Sequence, residues 1–204
     1  MGAISNPVGD VGFRRIVKFE YTGAAAEYAK PPGLRRVKVR VVGGGGNTPP
    51  VTGPENSSGG AGGGGYTEKV IEAKDLSPVE LVNVGGPGML STFGAHCSAT
   101  GGSAPVGNEG GIGGVGIGGD FDVRGGAGGA PVFFMDSSGN KIIVSGGMGG
   151  DSLLSGRPKQ RVAHVDGHPG HTYGGGASAA FVRSSMTLSG AAGANGVVVV
   201  EEFY

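Results

Sequence analysis

Phased glycine is the feature that most limits what this chain can become. It is concentrated in Gly43 to Gly46, Gly59 to Gly65, Gly101-Gly102, Gly110 to Gly119, Gly125 to Gly129, Gly146 to Gly150 and Gly174 to Gly176. Residues 110–115, 125–130 and 146–151 each repeat Gly-Gly-X. With 48 glycines in 204 residues, usage is several times the roughly 7% of an ordinary protein. Each interior glycine costs a helix about 1 kcal/mol relative to alanine, so long α-helices are disfavoured. Collagen needs glycine at every third position with abundant proline, and only 12 prolines are present. Flexible Gly-rich linkers are the rival expectation. Against it, the runs are short, phased and bracketed by patterned strands.

A polyproline-II helix has three residues per turn and no internal hydrogen bonds. In that form a Gly-Gly-X run puts every X on one edge and leaves two edges bare. Bare edges let neighbouring backbones approach closely and pair their N–H and C=O groups between runs. The expected fold is therefore all-β: a jelly-roll-like β-sandwich combined with packed polyglycine-II-type helices and little or no α-helix.

The strand signals support the β part. Arg36-Val37-Lys38-Val39-Arg40-Val41 alternates strictly, which predicts valines facing a core and basic residues facing water. Phe13 to Tyr21, Tyr66 to Ala73 and Val79 to Val84 read as further strands, and Ala179 to Ser184 as a weaker one. Val132-Phe133-Phe134-Met135, a turn over Asp136 to Asn140, and Lys141-Ile142-Ile143-Val144 read as a hairpin. Gly196 to Phe203 contains a continuous apolar run, as expected of a strand buried on both faces. The organisation expected is an N-terminal attachment segment, 1–15, and one glycine-rich β domain, 16–204.

Lys+Arg and Asp+Glu number 16 each. That balance argues against a nucleic-acid-coating protein or a polybasic membrane binder. No apolar run approaches the ~20 residues of a membrane span, the N-terminus lacks a signal-peptide pattern, and membrane insertion is not expected. The single Cys97 has no partner for an internal disulfide and reads as a buried, inert thiol.

Several segments together carry a family resemblance. Val37 to Val42 leads into Gly43 to Gly46, and Gly62 to Gly65 leads into Tyr66-Thr67-Glu68-Lys69-Val70. Ser91-Thr92-Phe93-Gly94 is followed by Ser98-Ala99-Thr100-Gly101-Gly102. Gly118-Gly119-Asp120-Phe121-Asp122-Val123-Arg124 precedes Gly125 to Gly129, and Gly190 to Glu202 closes the chain. In this order they resemble the glycine-rich tail-fibre domains of tailed bacteriophages. The resemblance implies a virion protein of the tail fibre or tail tip, made in the host cytoplasm. Relatives at fibre tips are adhesins, which implies a host cell-surface receptor, either an outer-membrane protein or lipopolysaccharide, met by loops between the glycine motifs. It also implies contacts with other phage tail proteins and a homo-oligomer, a trimer by fibre symmetry. A purely structural tail protein would share the same scaffold.

The chemistry-bearing residues are few. Gly111-Ile112-Gly113-Gly114-Val115-Gly116 matches a dinucleotide fingerprint in letters, but that motif works only between a strand and a helix. No cofactor is expected. Asp120 and Asp122 share a strand face, as a pair of hydrolytic carboxylates would, but their place in the glycine motif reads as scaffold, and no enzyme is expected. Candidate receptor contacts sit where glycine gives way to other residues. They are Asn47, Thr48 and Asn56 in one loop, and Arg157, Lys159, Arg161, His164, His168, His171 and Tyr173 in another. The basic residues suit phosphate or an acidic sugar, and Tyr173 suits stacking on a sugar face. The three histidines lack a Cys partner for a structural zinc, and no metal is assigned to them.

Overall fold

The computed structural model describes residues 13–162 and 164–204; most of the expected attachment segment lies outside them. The fold is all-β, and the one helical turn among the described residues is the 3-10 turn Ala73–Asp75. One five-stranded antiparallel sheet orders β1 (Phe13–Glu20), β16 (Val197–Phe203), β3 (Arg36–Val42), β6 (Tyr66–Glu72) and β11 (Phe121–Val123). A second orders β10 (Gly116–Ile117), β9 (Cys97–Ala99), β8 (Ser91–Phe93), β7 (Val79–Asn83) and β2 (Ala26–Ala29). Three small pairs complete the strands: β12 (Val132–Met135) with β13 (Lys141–Ser145), β14 (Phe181–Val182) with β5 (Asn56–Ser57), and β15 (Thr187–Leu188) with β4 (Val51–Thr52).

One core draws on both large sheets. Val37, Val39, Val41, Ile71, Val198 and Val200 of the first cluster with Tyr28, Val82, Phe93, Cys97 and Ala99 of the second. The alternation in β3 does as expected: its inward valines are fully buried, each worth roughly 1.5–3 kcal/mol of transfer free energy. The basic residues of β3 turn outward, Lys38 and Arg40 into ion pairs and Arg36 over the Phe203 ring. Lys38 Nζ lies 2.8 Å from Glu68, and Arg40 reaches both Glu68 at 3.2 Å and Glu201 at 2.8 Å. Those pairs limit the expectation for β16 to its apolar half. On the outward face Val197 is buried and Val199 partly buried in a second, smaller cluster with Val42, Tyr66 and Val123, while Glu201 further along belongs to the charged surface.

Glu202 is the exception inside. Its carboxylate is fully buried and accepts from Tyr28 Oη at 3.1 Å and Tyr204 Oη at 3.0 Å, with Arg15 Nε at 3.0 Å. A buried charge is tolerable when partners surround it in this way. Burial and the neighbouring carboxylate push the Tyr28 phenol well above its ordinary range.

The strands of both sheets run directly into glycine segments, which lie side by side. Gly59 to Gly65 is the central one. Gly59, Gly62 and Gly65 donate their N–H groups to Gly107, Ser103 and Thr100. Gly60 and Gly63 donate to Gly129 and Gly126, and Ala61 and Gly64 to Ala177 and Gly174. In return, carbonyls of the same stretch accept from Gly111 and Gly114, from Gly150, and from Gly43 and Gly46, and the carbonyl of Ser58 just before it accepts from Gly147. These bonds span 2.7–3.1 Å, and the donors change neighbour with a period of three. Side chains cannot enter: a Cβ on Gly62, Gly63 or Gly64 would lie 1.9–2.1 Å from a neighbouring carbonyl oxygen.

This register orients the molecule. Gly65 abuts β6 and Gly59 lies at the far end, so Gly107, Gly129 and Gly147 mark a pole remote from the two large sheets. The β12–β13 hairpin and the loops around residues 50–56, 103–109, 161–162, 164–166 and 182–188 gather at that pole.

Candidate functional site

The segment from Asp151 to Tyr173 folds back along the flank of the glycine segments. Asp151 accepts the Gly126 N–H through its carbonyl at 2.8 Å, which starts the segment beside the large sheets. A tight turn follows, in which Ser152 N–H donates to Ser155 Oγ at 3.1 Å and Ser152 Oγ donates to the Tyr173 carbonyl. The chain then runs toward the far pole, where Gly146 donates to Arg161 O at 2.9 Å. It returns along Ser178, paired with His168, and reaches His171, whose carbonyl accepts from Gly175 at 2.9 Å.

This path brings some of the expected residues together and separates others. Val123, Arg124, Gly126, Asp151, Ser152, Leu153 and Ser155 line an open cleft of about 500 Å³. Arg157 stands at its edge, its Nε 3.4 Å from Asp151. The rings of His168 and His171 meet edge to face at 5.7 Å. Tyr173 packs partly against Val42, Tyr66 and Val197. Its hydroxyl donates to Glu20 and accepts from Lys18 Nζ at 3.3 Å. The bond from Tyr173, reinforced by Lys18, holds the Glu20 carboxyl below its usual range.

His164 stands apart, exposed, with Nδ1 accepting the Arg183 N–H at 3.0 Å. His168 Nδ1 instead donates to the Pro169 carbonyl at 2.8 Å. Among the described residues no three His, Cys, Asp or Glu side chains gather as a metal site. Lys159 is exposed on the outward run, and Arg161 buries an Nε without a hydrogen-bond partner among the described residues.

The second loop divides similarly. Thr48 is buried, and its hydroxyl serves the Ser178 carbonyl at 3.3 Å and the Ala191 N–H at 2.9 Å. That commits Thr48 to the scaffold. Asn47 is the exposed member of the pair, with Oδ1 accepting from Gly193 at 2.9 Å, at a shallow groove formed with residues 189–192. Asn56 sits at the far pole, where Nδ2 donates to Thr52 O at 2.7 Å.

Comparison with known proteins finds no matching family model, and no curated protein matches the chain. Function must be read from the geometry.

The catalytic alternatives meet occupied groups. Asp120 accepts the Val70 N–H at 2.8 Å, and Asp122 accepts from Thr67 Oγ1 and the Gly119 N–H, so both carboxylates pin β11 to β6. In the dinucleotide-like motif, the Gly111 and Gly114 N–H groups are spent on Gly60 and Gly63, and strand β10 follows rather than a helix. Cys97 is buried, and burial pushes its thiol up to about 11. No described helix is long and apolar enough to cross a membrane.

Sequence reasoning overlooked Arg124 and Leu153 as site residues. Arg124 sits within the glycine motif and reads as scaffold, and its neighbour across the cleft is 27 residues away. It also overlooked the exposure of the hairpin. The signal there is four consecutive apolar residues in a two-stranded ribbon, which must present apolar groups on both faces.

Proposed function

We propose that this protein is a tail-fibre or tail-tip protein of a tailed bacteriophage that recognises a host cell-surface receptor without enzymatic chemistry. The observation that carries the proposal is the hydrogen bonding of Gly59 to Gly65, with three-residue periodicity and neighbours on every side. We read the glycine segments as polyglycine-II helices and the two large sheets as a sandwich from which they extend. Such a block holds loops in place without side-chain packing, a property suited to displaying a binding surface.

The receptor face in this reading is the flank carrying Arg124, Leu153, Arg157, His168 and His171. A guanidinium at each side of the cleft, serine hydroxyls and an apolar leucine suit an anionic sugar such as a phosphorylated or acidic lipopolysaccharide residue. Among the described residues Arg124 has no carboxylate in ion-pair range and remains available to a ligand.

The test is adsorption. Purified protein should bind cells of the phage's host and compete with phage attachment, and Arg124→Glu with Arg157→Glu should abolish binding while leaving melting unchanged. Failure to bind, joined to particles that lack tails when the gene is deleted, would establish the second reading, a structural assembly protein. The apolar far pole favours that second reading enough to keep it.

A further inference from the structure

We propose that β12 is a self-association edge through which two copies of this chain pair antiparallel about a two-fold axis at Phe134. The β12–β13 hairpin leaves Val132, Phe133, Phe134, Met135 and Val144 between 41% and 59% exposed. These five leave on the order of 450 Å² of apolar side chain in water, taking roughly 150–250 Å² for a whole aromatic residue. Val106, Val162 and Met186, exposed on neighbouring loops of the same pole, raise that to about the 800 Å² per partner of a stable interface. A lone monomer rarely leaves so much uncovered.

The hairpin has one open edge. On β13 the Ile143 N–H donates to Glu55 at 2.9 Å and Gly146 donates to Arg161 O at 2.9 Å, so that side is closed. Ile143 faces Phe133 across the ladder. Directly opposed residues of an antiparallel pair turn their backbone groups the same way, both inward or both outward. Since Ile143 points away from β12, Phe133 points away from β13, and so does Met135 two residues on. Their N–H and C=O groups form the open edge, with no backbone partner from another segment among the described residues.

A second copy satisfies that edge best. With Phe134 on the axis, Phe133 faces Met135 of the partner subunit and all four outward residues of the two strands exchange bonds. Moving the axis to Phe133 would set Pro131, which has no N–H, against Met135 of the partner subunit. Residues 125–135 carry no charge and the whole chain is formally neutral, so no like charges are opposed along the edge. Pro131 ends the edge, and because the two-fold contact uses β12 of both copies while the β13 side is closed, the assembly stops at two instead of growing into fibres. The flank cleft stays uncovered in this arrangement.

Sedimentation of the full-length protein over micromolar to submillimolar concentration should show a doubling of mass. Phe134→Glu should weaken the dimer at least about tenfold, while Ile112→Glu, exposed elsewhere, leaves it intact; both should keep the parent melting temperature. Phe134→Cys should form an intermolecular disulfide on mild oxidation, because unbonded opposed positions bring Cα atoms within disulfide reach. A monomer throughout overturns the proposal, as does a dimer indifferent to Phe134→Glu. So does a monomer whose β12 becomes protected from exchange only on adding host outer-membrane protein, which would assign the edge to a foreign strand.

Discussion

Gly128 and Gly129 are chemically identical neighbours with opposite tolerance. A Cβ on Gly128 would stand 1.9 Å from the Gly60 carbonyl oxygen, whereas at Gly129 nothing lies nearer than 3.5 Å. Gly128→Ala should therefore lower the melting temperature sharply, since the backbone it meets is itself hydrogen-bonded on all sides. Gly129→Ala should be neutral or gain about 0.4–1 kcal/mol by restricting the unfolded chain. Thermal denaturation of the two variants checks this directly, and equal melting temperatures would contradict close backbone packing. The individual residue was only half legible in the sequence. The Gly-Gly-X phase marks a run as crowded, but which glycine faces a neighbour depends on that neighbour's position.

At the scale of elements, charge ties the short strands of the second sheet to their turns. Glu80 of β7 accepts the Ser77 N–H at 2.7 Å and pairs with His96 Nε2 at 3.1 Å in the turn between β8 and β9. Burial pushes its carboxyl up, but the bonds from His96 and Ser77 outweigh it and hold the group below its usual range. Glu68 behaves alike, burial being outweighed by Lys38, Tyr66 and Arg40. A carboxyl lowered in the folded state stabilises the fold fully above its unfolded value of about 4.3 and loses that contribution as pH falls through the folded value. Melting temperature should therefore drop as pH is lowered from 6 toward about 3, and Glu80→Gln should start lower at neutral pH and show a flatter acid limb. Identical slopes in both proteins would refute the assignment. Long elements such as β3, β12 with β13, and β16 were readable because alternation or apolar runs extend over several residues. Of the two- and three-residue strands only β14 was signalled, within Ala179 to Ser184, and none of their pairings was. Phe181 pairs with Ser57, and Thr187 with Thr52, contacts that no local pattern encodes.

For the whole molecule, the central glycine segment should behave as core. The amides of Gly59 to Gly65 donate to three separate segments, so none can open without disturbing several neighbours. Hydrogen exchange should place them among the slowest in the protein, beside Val39 and Val200, and exchange should proceed by global unfolding. Rapid exchange there would mean flexible linkers and would remove the basis of the proposed function.

The sequence by itself determined the β character, because glycine at this density opposes helix and the valine alternation demands a buried sheet face. It also determined that packing between glycine runs must come from backbone, there being no side chains to supply it. Tertiary structure alone decided which runs are neighbours. That choice put Arg124 beside Asp151 and Arg157, buried Thr48, parted His164 from His168 and His171, and left the hairpin bare. Backbone hydrogen bonds carry no residue identity, so glycine runs of similar length are nearly interchangeable as letters. Only the three-dimensional course of the strands and loops between them selects one arrangement.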